Sequence, residues 1–154
     1  MTEVYVDVAA AALGGGVPGS GYADEFPRAA VADPEALRAL RYLADSGVRV
    51  VLVRPDSLEP PDDLRDVAEE VVHAVPSRPR APAWYLTSDI SRCRGSSARL
   101  RTVLIGGAPP NGSVRRCDAI SRDVQAAAME ILAADAMAPN GLARSLSARS
   151  GADP

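Results

Sequence analysis

The sequence predicts an α/β domain, a three-layer α/β/α sandwich built on a mostly parallel sheet. Three observations carry that reading. Short runs rich in valine, leucine and isoleucine alternate along the chain with stretches of helical periodicity. The run over residues 48–53, Val-Arg-Val-Val-Leu-Val, is apolar almost throughout, as strands buried on both faces are. The length, 154 residues, suits one domain with a core of its own.

The elements follow in order. Residues 3–8 read as a first strand. Residues 14–33 are rich in Gly and Pro and read as a long loop. Asp33 then offers an N-cap, and Pro34 fits a first helical turn, where its missing N–H costs nothing. Leu37, Leu40 and Leu43, with Ala36 and Ala44, form the apolar stripe of this helix, and Gly47 ends it. After the 48–53 strand, Pro60 and Pro61 open a second helix expected to run to about Val71, with Leu64, Val67 and Ala68 inward. A short strand is expected over residues 72–75 and a stiff loop over 76–82. Residues 83–87 read as a strand and 90–98 as a helix. A strand over 101–105 is closed by Gly106 and Gly107. A last short strand over 118–121 precedes a helix over 124–137. The domain is thus expected to span residues 1–137, with a disordered tail over 138–154.

Composition narrows the function classes. The formal charge is −3 and the sequence pI about 5.2, so bulk attraction to nucleic acid or anionic lipid is not expected. All 17 basic residues are arginine. The absence of lysine excludes a lysine Schiff base. Arg92, Arg94, Arg99 and Arg101 cluster, as do Arg115 and Arg116, and both groups read as solvated surface. Two cysteines, Cys93 and Cys117, are too few for a disulfide framework and match no zinc spacing, so Cys93 reads as a small buried hydrophobe. His73, the single histidine, has no evident catalytic partner. No apolar run reaches the ~18 residues of a membrane span, and the N-terminal residues do not resemble a signal peptide. A cytoplasmic protein is expected.

In parallel α/β sheets ligands sit beyond the carboxyl ends of the strands, where the strand order reverses. Asp7, Arg54 and Asp89 each stand at such an end in the expected layout. They are therefore expected to meet on one edge of the sheet, with Arg54 forming an internal ion pair between the two carboxylates. A grip on phosphate is the other use open to Arg54. Asp7 taken alone would cap the turn after its strand, and Asp89 the helix after its own.

Three segments carry a family resemblance: Ala83-Trp84-Tyr85-Leu86-Thr87-Ser88-Asp89, Leu100-Arg101-Thr102-Val103-Leu104-Ile105-Gly106-Gly107, and Cys117-Asp118-Ala119-Ile120-Ser121-Arg122-Asp123. Together with the strand ending in Asp7, the chain resembles the haloacid dehalogenase-like (HAD) superfamily over about residues 3–137. The resemblance implies a Rossmann-like sheet and four polar stations. Asp7 matches the nucleophilic aspartate that forms an aspartyl-phosphate. Ala9 stands where a second aspartate transfers protons, a loss that typically costs about 10²–10⁴-fold in rate. Ala10 and Ala11 replace the usual Gly-Thr. Arg54 replaces a Ser/Thr, and Arg78 or Arg80 matches the cationic station that steadies phosphate. Asp89 matches the first downstream acid, which with Asp7 would ligate Mg²⁺ if a metal binds. Cys93 falls where a second acid is common.

Neither insertion point leaves room for a cap domain. The resemblance therefore implies a capless HAD-like protein with an impaired phosphatase site, needing no cofactor. It would act as a binding or regulatory module, or as a subunit of a biosynthetic complex. An unidentified protein or a second copy would be its partner, contacted through residues 14–28 and the tail. The alternative is a weak Mg²⁺-dependent phosphohydrolase with Asp7 as nucleophile.

Overall fold

The computed structural model describes residues 2–13, 31–54, 59–79, 81–93, 99–106 and 117–137. Arg80, the 94–98 end of the third expected helix, most of the 14–33 segment and the 138–154 tail lie outside the described residues.

The chain runs β1 (Glu3–Asp7), a one-turn helix α1 (Val8–Ala11), β2 (Ala12–Leu13), β3 (Val31–Ala32) and α2 (Pro34–Asp45). It continues through β4 (Arg49–Val53), α3 (Asp62–Val67), β5 (Glu70–Val72), β6 (Ala83–Thr87) and a 3₁₀ turn (Ile90–Arg92). β7 (Leu100–Ile105), β8 (Ala119–Ser121) and α4 (Val124–Met137) complete it. The main sheet has six strands in the order β5-β4-β1-β6-β7-β8, and every pairing in it is parallel. The predicted α/β class with its mostly parallel sheet is therefore the class observed.

Alternate strand residues point to opposite faces, and the two faces are covered differently. Val4, Val6, Val50, Leu52, Leu86 and Val103 share a core with Leu40 and Leu43 of α2, Leu64 of α3 and Ile131 of α4. All four described helices bury their apolar sides in this layer. The opposite face, with Tyr5, Val51, Val53, Tyr85 and Leu100, packs against Val72 and Val75. Cys93, Leu104 and Cys117 form a third cluster beside it. Among the described residues, connecting segments and the 3₁₀ turn make up this outer layer.

Local chemistry explains α2. The Asp33 carboxylate accepts from the Glu35 N–H at 3.2 Å, Pro34 takes the first turn, and Gly47 leaves the helix at φ +90°. Expected bounds are corrected in four places. α3 stops at Val67, because Ala68 is extended and the Glu69 N–H donates to the Val50 carbonyl at 2.9 Å. Sheet pairing thus wins over helix continuation, and the short strand is 70–72 rather than 72–75. Within the expected long loop, Val31–Ala32 pairs antiparallel with Ala12–Leu13 as a two-stranded ribbon. The described part of the 90–98 helix is one 3₁₀ turn, left at an extended Cys93.

The cysteines are also corrected. Cys93 and Cys117 form a disulfide, bridging a sequence separation of 24 residues. Cys93 is buried, as its reading required, but it is not a free thiol. Such bonds persist where thiols are oxidised. No described helix is long and apolar enough to cross a membrane.

Candidate functional site

Within the main sheet, the strand next in sequence after β1 is β4, on one side of it, and β6 lies on the other, so the strand order reverses between β1 and β6. This is the crevice in which parallel α/β sheets hold ligands. Asp7 ends β1 on one side of it, and Thr87 ends β6 on the other.

Asp7 is only 3 % exposed. Its Oδ1 accepts a hydrogen bond from the Tyr85 hydroxyl at 2.7 Å, and its Oδ2 accepts one from the Thr87 hydroxyl at 2.6 Å. Tyr85 and Thr87 are two residues apart on one strand, hence on one face, and β1–β6 register sets that face beside Asp7. Although Asp7 precedes α1, its side chain caps nothing there. The capping role open to it in the sequence is not the one it has.

The network extends outward. The Asp89 main-chain N–H donates to Thr87 Oγ1 at 3.1 Å. The Asp89 Oδ1 accepts from the Ser91 N–H at 3.0 Å and the Ser91 hydroxyl at 2.7 Å. Its Oδ2 faces Arg92 Nε at 3.4 Å. Asp89 thus caps the 3₁₀ turn, and its side chain is half exposed.

Electrostatics follow from these contacts. Burial pushes the Asp7 carboxyl above the ordinary carboxylate range, against the pull of the Thr87 and Tyr85 hydroxyls and the charge of Arg92. The Tyr85 phenol is pushed well above its usual range by burial and by the Asp7 acceptor. Asp89 is held below the usual range, first by the Ser91 hydroxyl and then by the Ser91 N–H and Arg92.

The three expected side chains come to the same sheet edge but do not join. Arg54 does not bridge Asp7 and Asp89. Its Nη1 pairs with Glu59 Oε1 at 2.9 Å, and Arg65 pairs with the same carboxylate. The arginine whose charge acts on Asp7 is Arg92. Arg78 is exposed. Ala9 is exposed beside Asp7 in sequence and brings no proton donor. Sequence reasoning missed Tyr85, Thr87 and Arg92. The available signal was two hydroxyl residues at alternate positions of a strand that ends near Asp7.

Asp7 and Asp89 are the carboxylates at this edge that would hold Mg²⁺, a cation that usually takes one or two carboxylates and several waters. Both Asp7 oxygens accept from hydroxyls and both Asp89 oxygens serve Ser91 or Arg92, so a cation would compete with those partners. Among the described residues, no three His, Cys, Asp or Glu side chains converge.

No family model matches the chain, and no curated protein does. Solved structures are similar, two phosphatases among them. One is D,D-heptose 1,7-bisphosphate phosphatase from Burkholderia thailandensis, with 18% identity and a TM-score of 0.49, covering 86% of this chain and 99% of that one. The other is D,D-heptose 1,7-bisphosphate phosphatase from B. bronchiseptica complexed with magnesium and phosphate, with 15% identity and a TM-score of 0.45, covering 86% and 98%. Likeness at this level is likeness of fold. No activity, substrate or cofactor follows from it.

Proposed function

We propose that the chain is a capless HAD-like domain whose phosphatase site is impaired, and that it serves as a non-catalytic binding or regulatory module, alone or within a complex. The observation that carries this is the state of Asp7. An attacking carboxylate must present an oxygen lone pair to phosphorus. Here burial and one short hydroxyl bond to each oxygen make the carboxylate a weaker nucleophile. Ala9, at the station of the proton-transferring acid, supplies neither leaving-group protonation nor activation of water. The partner is a second protein or another copy of this chain.

One observation favours a weak Mg²⁺-dependent phosphatase instead: Asp7 stands at the switch-point crevice, where a nucleophile would stand. A panel of phosphate esters with Mg²⁺, assayed beside Asp7→Asn, separates the two. The non-catalytic reading expects equal background from both proteins. Turnover that disappears in Asp7→Asn would establish the phosphatase.

A further inference from the structure

We propose that the cleft beside β5 binds a small oxyanion of the phosphate class between Arg54 and Arg65, and that Glu59 fills this place in the free protein. The inference rests on the reading of the chain as a binding module and names the chemistry it would bind.

Arg54 directly follows β4, on the edge of the sheet where ligands bind. Its guanidinium and that of Arg65 converge on the single Glu59 carboxylate. Two forks aimed at one carboxylate already form a cradle for a planar or tetrahedral oxyanion. One donor is left over. Arg54 Nε is buried and has no hydrogen-bond partner among the described residues. Such orphans are rare in native proteins, because an unmade hydrogen bond on a buried donor is destabilising. A carboxylate has two oxygens to offer, whereas phosphate has four and more charge. An incoming phosphate can therefore meet the Nε donor as well as the two forks.

The latch is easily opened. The Glu59 side chain is 61% exposed, and exposed ion pairs contribute little to stability. Arg54 and Arg65 line an open cleft of about 380 Å³, together with His73 and the β5 strand. Glu69 and Glu70 also border it, but both are held by Arg49, at 2.9 and 2.8 Å. Arg49 begins β4 and Arg54 follows it, so the acidic and basic ends of the cleft lie at opposite ends of that strand. Arg92, not Arg54, acts on Asp7, so this site does not depend on Asp7 chemistry.

The test titrates inorganic phosphate at constant ionic strength, followed by amide chemical shifts. The proteins are wild type, Glu59→Gln, Arg54→Gln, Arg65→Gln and the exposed control Arg41→Gln, each checked for folding by circular dichroism. Saturable binding is expected in wild type, about tenfold tighter binding in Glu59→Gln, loss in Arg54→Gln and Arg65→Gln, and no change in Arg41→Gln. No saturable binding by Glu59→Gln, or wild-type binding by Arg54→Gln, would overturn the proposal. Either result leaves the non-catalytic reading standing. Ester turnover would remove that reading and leave phosphate binding here to be judged on its own titration.

Discussion

The Thr87 hydroxyl and the Asp7 carboxylate meet at 2.6 Å across the crevice between β6 and β1. One hydroxyl group does two things there: it donates to a buried carboxylate and accepts the Asp89 N–H. The turn after β6 is thereby tied to the end of β1.

Thr87→Val keeps the shape and removes both bonds. Hydrogen bonds to charged groups contribute about 1.5–3 kcal/mol, so a loss in that range is expected in urea unfolding. Thr87→Ser, which keeps the hydroxyl, is expected to lose clearly less. Equal losses would mean that the methyl group, not the hydroxyl, matters here.

Asp7 gives a pH signature. Its carboxyl is raised in the folded protein above its ordinary value, so the native state disfavours the charge. The resulting stabilisation is complete below the unfolded carboxyl pKa and is lost as pH rises through the folded one. Asp7→Asn carries no such charge. The stability of Asp7→Asn relative to wild type is therefore expected to increase from about pH 3 to about pH 7. Paired urea melts at the two pH values measure it, and a flat difference would contradict the raised carboxyl.

The disulfide ties Cys93, directly after the site-bearing 3₁₀ turn, to Cys117 ahead of β8. Closing a loop of this length restricts the unfolded chain by about 3 kcal/mol. Reduction with a phosphine, or Cys93→Ser, is expected to lower stability by about that amount and to speed hydrogen exchange over residues 88–93. Unchanged exchange after verified reduction would show that the bond does not hold the turn.

Restoring the missing acid probes the site further. Ala9→Asp together with Arg54→Thr introduces the residues that the HAD resemblance expects at those two stations but leaves Tyr85 and Thr87 on the Asp7 oxygens. No turnover of phosphate esters above wild type is expected from the double variant. A gain of about 10²-fold, the usual scale of acid–base assistance, would mean that the missing acid was the main defect.

Much of the fold was legible because its signals are local. Asp33-Pro34 capped a helix, residues 83–87 formed the strand expected of them, and the last helix has its expected bounds. The edge position of Asp7 followed from its place at the carboxyl end of a predicted parallel strand. What failed to read out depends on three-dimensional neighbours. The Tyr85 and Thr87 bonds to Asp7 require knowing the register of β6 on β1. The cysteines meet because β7 lies between them in sequence while the segments at either side of it return to one place. The direction of Arg54 is a contest among carboxylates, and Glu59, five positions on, wins it over Asp7 and Asp89.

Each Asp7 oxygen accepts a short hydroxyl bond, from Tyr85 or Thr87, and the proposed non-catalytic role requires that Asp7 not attack phosphorus. The most direct measurement is the intact mass of the protein after incubation with Mg²⁺ and acetyl phosphate, with Asp7→Asn as control. Unmodified protein is expected in both samples. A mass increase of one phosphoryl group in wild type, absent from Asp7→Asn, would contradict it.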